Sequence, residues 1–290
     1  MRPSLAILAA SLLCVGVACR QKELPPPSDR PRLTAKVRML DVTFPSASLH
    51  RDMRYRVILP SSIPLHQKLP VAYLLHGGGG GYRDWSNYSD VSRFAEQSLV
   101  LVMPEGNSSY YVNAAERPQD RYEDYITQDL IRDVESRFPA ASGRKNRAIV
   151  GVSMGGFGAI VLALKHPDLF AFAGGMSSAL DVPTRRFSLR RVAQYRAHAQ
   201  IFGPWGSEPR TTSNPYHLAE SVDPAKTPYL YLTCGEQEGL LPANQRFATL
   251  LRNHGFKYEF HPGPGGHDWN QWNGRLSGLV ESLRQHLAPN

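Results

Sequence analysis

Cysteine is scarce in this 290-residue chain, which has three: Cys14, Cys19 and Cys234. The first two fall in the leading segment, so a folded body keeps only Cys234. That excludes an internal disulfide framework. Cys234 itself is read as a buried, inert thiol. The apolar run from Leu5 to Val17 falls short of the roughly 20 residues that a membrane-spanning helix needs. No internal repeat is found. Lys and Arg exceed Asp and Glu enough to give a net charge of +8. They are scattered, however, and no RNA- or DNA-reading motif accompanies them, so nucleic acid is not an expected partner. The glycine-rich segment HGGGGG (76–81) lacks the following Lys and Ser/Thr of a phosphate-binding loop. The composition is 42% hydrophobic and 20% charged, which argues against a disordered, coiled-coil or collagen-like chain.

The chain opens with Arg2, the apolar run and a close in small residues before Cys19. This is the layout of a secretory signal peptide over residues 1–18. Cys19 directly after Val17-Ala18 resembles a bacterial lipobox, in which the cysteine is lipidated and anchors the protein to a membrane. Gly16 stands where leucine is usual, and simple cleavage after Ala18 would instead release a free protein. Residues 19–35 include the polar, Pro-rich stretch RQKELPPPSDRPRL, read as an extended tether. No second long linker follows, so residues 36–290 are expected to form one domain.

Within it, KVRMLDVTF and MRYRVILP alternate as strands. VAYLLHG (71–77), LVLVMP (99–104), RAIVGVSM (147–154), PYLYLTCG (228–235) and KYEFHPG (257–263) read as further strands, the first three of them buried. Helical spacing is expected from Trp85 to Gln97. It recurs over 122–138, where Tyr125, Ile126, Leu130, Ile131 and Val134 share a face, and again after residue 154. Strands alternating with helices imply an α/β protein, with a mostly parallel central sheet covered on both faces. Ligands of such sheets sit at the carboxyl ends of the strands.

Residues 151–155 read Gly-Val-Ser-Met-Gly, a G-x-S-x-G at a strand-to-helix junction. Glycines two positions either side of Ser153 permit a sharp turn that lifts its hydroxyl above the sheet, at a helix N-terminus. A serine hydroxyl needs a base. His267, in the glycine-rich loop PGPGGHDWNQW, is the candidate, whereas His254, His261 and His286 lie on helices or a strand end. An acid is expected after YLYLTCG, which leaves Glu236 and Glu238. Asp268 is too close in sequence to its neighbour His267 to orient it. The HGGGGG segment follows a buried strand and can turn amides toward a substrate oxygen. The expected oxyanion donors are the amides of Met154 and Gly78, with Gly79 next. His76 is read as a brace for this loop.

Together LLHGGGGGYRDW, VMPEGNSSYYVN, YEDYITQDLI, GVSMGGFGAI, CGEQEGLLPAN and GGHDWNQW resemble the esterase D / antigen 85 branch of the α/β-hydrolases. That group includes S-formylglutathione hydrolases, feruloyl and acetyl-xylan esterases, and mycolyltransferases. The resemblance runs from about residue 40 to near the end. It implies Ser153 as nucleophile, His267 as base and Glu238 as acid, although Asp is usual at the last position. It also implies a serine esterase, here expected to be exported because of its signal segment, acting on acylated carbohydrate or a small ester, or an acyltransferase of the mycolyltransferase type. A non-catalytic surface binding protein is the remaining reading. No metal or organic cofactor is called for. The segment from Asp181 to Pro215, with Arg185, Arg186, Arg190, Arg191, Arg196, Phe202 and Trp205, is expected to form a small cap. Its arginines are read either as a solvated helix face or as a wall that attracts anionic or aromatic substrates.

Overall fold

The hydrophobic alternation at the start of the domain folds as a long hairpin, β1 (Val37–Ser46) paired antiparallel with β2 (Arg51–Pro60). The structure, a computed structural model, describes residues 28–187, 189 and 192–288. Six more strands follow: β3 (Val71–Leu75), β4 (Val100–Pro104), β5 (Arg147–Val152), β6 (Phe172–Met176), β7 (Tyr229–Gly235) and β8 (Tyr258–Gly263). Among the described residues the eight strands form one sheet in the order β1-β2-β4-β3-β5-β6-β7-β8. β2 meets β4 antiparallel, and every pairing from β4 to β8 is parallel.

The central strands read as continuous apolar runs because both faces of the sheet are covered. Tyr73 and Leu75 of β3 enter one core together with Ile149 of β5 and Leu232 of β7. Their neighbours Ala72, Leu74, Ala148, Val150 and Tyr231 enter the other. This is the two-residue period of a strand, with apolar side chains required in both directions.

Three of four longer helices cover the sheet together with the helical stretch Tyr122–Arg137, whose Tyr125, Ile126, Leu130 and Val134 lie in the first core; the second of the four packs outside it. The first, α1 (Met154–Lys165), is buried along nearly its whole length, as expected of a helix without a polar face. The second, α2 (Val192–Phe202), sends Ile201 and Phe202 into a small third cluster with Phe157. The third, α3 (Leu241–Asn253), packs Phe247, Ala248 and Leu251 into the first core. The last, α4 (Trp269–His286), lays Trp272, Leu276, Leu279, Val280 and Leu283 on the opposite face. Those spacings make one helical stripe. Removing a buried side chain from it, as in Leu276→Ala, would cost about 2–5 kcal/mol.

The structure departs from the sequence expectations in four places. The stretch 85–97 is not one helix but two short ones, Asp84–Tyr88 and Ser92–Ala95. Ser89 breaks them, adopting extended backbone while its hydroxyl bonds to the Trp85 carbonyl. The helix over Tyr122–Arg137 keeps its buried face, but its turns widen to π-helical geometry at Tyr125–Leu130. Thr127 and Asp129 are buried there as well. Strand β6 is not announced by the sequence pattern, because FAGGM carries two glycines and no β-branched residue. Finally, residues from Asp29 onward lie against the domain. The Arg32 amide donates to the Ser86 carbonyl, and Asp29 pairs with Arg56. The signal segment and Cys19 lie outside the described residues. Among those described, no helix is long and apolar enough to cross a membrane.

Candidate active site

Ser153 stands between the last residue of β5 and the first of α1, at φ 56° and ψ −112°. Such backbone is strained for a residue with a Cβ. It is held by the Ser153 amide donating to Met176 O at 2.8 Å and by the Ala179 amide donating to Ser153 O at 3.1 Å. The turn is too tight for side chains on either flank. A Cβ on Gly151 would overlap the Gly155 carbonyl, and one on Gly155 would strike the carbonyls of Leu75 and His76. The two glycines of G-x-S-x-G are therefore required by packing.

His267 lies in the loop between β8 and α4. Its Nε2 is 2.9 Å from Ser153 Oγ and its Nδ1 is 2.7 Å from Glu238 Oε2. The carboxylate only accepts, which assigns the proton to Nδ1 and leaves Nε2 to accept from the serine hydroxyl. Glu238 is in the turn after β7. Its other oxygen, Oε1, accepts from the Gly235 amide at 2.7 Å and the Ser177 hydroxyl at 2.6 Å. Trp272 Nε1 donates to Ser177 Oγ at 2.9 Å, and the indole meets the His267 ring edge-on, with centroids 5.2 Å apart. Next to this group, burial pushes the Cys234 thiol up to about 12, with the Glu238 charge adding to the effect. That matches an inert thiol.

The alternatives weighed for the acid part company here. Glu236 is exposed, whereas Glu238 is buried. Asp268 turns away from His267 to cap α4, accepting from the amides of Asn270 and Gln271 at 2.8 and 3.0 Å. His261 binds Glu259, and His286 stacks on Tyr229.

The glycine loop after β3 passes beside the serine. A Cβ on Gly77 would lie 3.5 Å from Ser153 Cβ, and one on Gly78 3.9 Å from Met154 Cβ. Met154 is the first residue of α1, so its amide has no partner one turn back. The amides of Met154 and Gly78 thus belong to backbone segments that run side by side next to the hydroxyl. His76 is buried beneath them. Its Nδ1 donates to Gly77 O at 2.8 Å and its Nε2 accepts from the Gly106 amide at 2.9 Å. The Tyr111 hydroxyl also holds the His76 carbonyl. These contacts are those of a brace.

The cap segment lies over Tyr110 and Phe157. Arg185 is bound to Asp181 at 2.8 Å, and Arg190 and Arg191 lie outside the described residues. Phe202, expected as part of the wall, is fully buried between Tyr110 and Phe157, while Trp205 is exposed. His198 is buried at this seam. Burial pushes it down to about 4, and Arg185 and Arg210 add to the effect. Ser177 and Trp272 carry no role in the sequence reading. Ser177 follows the one strand that the pattern does not announce, and Trp272 looks like an ordinary core position of α4.

A family model described as "Putative esterase" matches residues 46–283. An acetyl esterase of Caldicellulosiruptor saccharolyticus is 26% identical over 258 residues, covering 84% of this chain and 97% of that protein. A diacylglycerol acyltransferase/mycolyltransferase Ag85B of Mycobacterium avium is 27% identical, covering 84% and 82%. Among solved structures, FphF, a fluorophosphonate-binding serine hydrolase of Staphylococcus aureus, is 27% identical. It superimposes with a TM-score of 0.73 and covers 85% of this chain and 98% of that one.

Proposed function

The chain belongs to the esterase family and is a serine carboxylic ester hydrolase of α/β-hydrolase fold. From that premise we propose that Ser153, His267 and Glu238 form its catalytic triad, acting on acyl esters such as acetyl or feruloyl groups carried by carbohydrate. The observation that carries this reading is the unbroken hydrogen-bonded path from Glu238 through His267 to Ser153, at 2.7 and 2.9 Å.

Ser153 Oγ attacks the ester carbonyl while His267 Nε2 takes its proton. The carbonyl oxygen gains negative charge and is received by the amides of Met154 and Gly78. His267 returns the proton to the leaving alcohol, and the acyl group stays on Ser153. A water deprotonated by the same imidazole then attacks the acyl-enzyme, and Ser153 leaves as a hydroxyl again. Glu238 fixes the imidazole tautomer and stabilises its charged form. The imidazole is 41% exposed, which supports access by water or another hydroxyl compound.

Ser153→Ala is expected to lower kcat toward p-nitrophenyl acetate by on the order of 10⁴ or more. Undiminished hydrolysis would end the proposal. The likeness to a mycolyltransferase favours one second reading, transfer of the acyl group to a sugar hydroxyl. Product analysis with trehalose or glycerol added separates the two. Export rests on the layout of residues 1–18, and membrane attachment on Cys19. Loss of membrane association in Cys19→Ala, with export retained, is the outcome that supports an anchor.

A further inference from the structure

We propose that Ser177 and Trp272 are positioning residues for this reaction, aiming the Glu238 carboxylate and the His267 ring at one another. The inference rests on the Ser153–His267–Glu238 reading. A carboxylate on a flexible two-methylene arm can present either oxygen at many angles. Here Oε1 is fixed by two donors, the Gly235 amide and the Ser177 hydroxyl, and Oε2 is left for His267 Nδ1.

The direction of the Ser177 bond is set by Trp272. An indole N–H only donates, and it lies 2.9 Å from Ser177 Oγ. It therefore occupies an acceptor side of the hydroxyl and leaves the single hydroxyl proton for Glu238. The same indole ring stands at 86° to the imidazole, so one side chain touches the base directly and reaches its acid through Ser177. The acid's side of this arrangement is buried: Ser177 is 0% exposed, Trp272 6% and Glu238 7%. Hydrogen bonds to a charged group count for more there than in water.

The backbone gives an independent argument. Ser177 sits at φ 50°, where glycine would fit without strain. Its amide is bound to the Thr233 carbonyl at 2.7 Å, a bond that glycine would also make. What serine adds at this position is the hydroxyl, and the hydroxyl is on Glu238.

Ser177→Gly is the decisive variant, since it relieves the backbone while deleting the hydroxyl. With p-nitrophenyl acetate, kcat should fall about tenfold to a hundredfold, with KM within about twofold. Ser177→Ala should lose as much. Trp272→Phe, which keeps a ring but no N–H, should lower kcat by a smaller factor. The double variant should be no slower than Ser177→Gly alone, because both act through one chain of bonds. A Ser177→Gly enzyme with kcat within twofold of the parent overturns the inference, as do losses that simply multiply in the double variant. Ser153→Ala is measured alongside. If it is inactive while Ser177→Gly is unaffected, only this inference fails; if it remains active, the underlying triad fails.

Discussion

His267 Nδ1 and Glu238 Oε2 meet at 2.7 Å, yet the two side chains lie on opposite sides of the solvent boundary, the imidazole 41% exposed and the carboxylate 1%. The base faces the substrate, and the group that orients it is sealed in the protein with its remaining oxygen already bonded. Glu238→Gln keeps the volume but offers an amide in place of the charge, and it disturbs the tautomer that places the proton on Nδ1. We expect kcat to fall on the order of 10³–10⁴. Glu236→Gln, at an exposed position two residues earlier, should leave kcat within about twofold. Steady-state hydrolysis of p-nitrophenyl acetate distinguishes them, and the reverse ranking would move the acid to Glu236.

The turn around the serine makes a second prediction. A Cβ at Gly155 meets backbone carbonyls of β3 and the glycine loop, neither of which can swing aside as a side chain can. Gly155→Ala should destabilise by at least about 3 kcal/mol or fail to accumulate as soluble protein. At Gly78 the nearest atom to a new Cβ is Met154 Cβ at 3.9 Å, an ordinary contact. Gly78→Ala should fold normally and keep its amide donor, with kcat within about tenfold of the parent. Yields and urea unfolding midpoints of the pair test the contrast.

How much of this was legible beforehand follows from what each feature rests on. The buried strands are visible because parallel strands covered on both faces must be apolar throughout, and Ser153 because its turn demands glycines at fixed spacing. His267 is visible as a histidine in a late glycine-rich loop. Residues 236 and 238 cannot be told apart by type, since both are glutamates in one turn; their separation comes from burial. Strand β6 is hidden because two of its five residues are glycines in tight surroundings, with Gly174 against the side chains of Leu279 and Val150, and Gly175 against those of Ser178 and Ile160. The signal of a strand is thereby erased. Ser177 is hidden with it. Two further misreadings have a local cause. Periodicity does not register the Ser89 hydroxyl capturing a helix carbonyl, nor the side of the cap on which Phe202 packs.

His198 supplies a pH dependence. It is 7% exposed and held below its ordinary value of 6.5, at about 4, first by burial and then by Arg185 and Arg210, with Asp181 opposing. The unfolded chain therefore binds a proton between these values that the folded chain does not. The histidine's effect is absent above about pH 6.5 and becomes destabilising as pH falls toward 4. At its full extent this amounts to about 3 kcal/mol. Other acidic groups also titrate in this window, so the informative quantity is the difference between parent and His198→Gln. The variant's melting temperature should fall less than the parent's between pH 7 and 4.5, by roughly 5 °C. Parallel curves would show that His198 is not the titrating group.

The last prediction concerns Arg56, a fully buried guanidinium in β2. Its Nε and Nη2 bond to the two oxygens of Asp41 at 2.6 and 2.9 Å. Its Nη1 and Nη2 bond to those of Asp29 at 2.9 and 2.7 Å, and Nη1 also reaches the Ser86 hydroxyl. The carboxylates are 36% and 30% exposed and the arginine 0%, so the two ends of the network are not equivalent. Removing the arginine leaves carboxylates that water can reach. Removing both carboxylates leaves a buried charge with nothing opposite it, which is the costlier defect. Asp29→Asn combined with Asp41→Asn should lower the unfolding free energy by about 3–5 kcal/mol. Arg56→Met, an unbranched apolar replacement, should cost clearly less. The first pair should also loosen residues 29–32 from the domain, since Asp29 helps to hold that segment. Urea denaturation measures the stabilities, and limited proteolysis near Arg30 and Arg32 measures the release. If Arg56→Met proves the more damaging change, the guanidinium contributes through packing rather than through its charge.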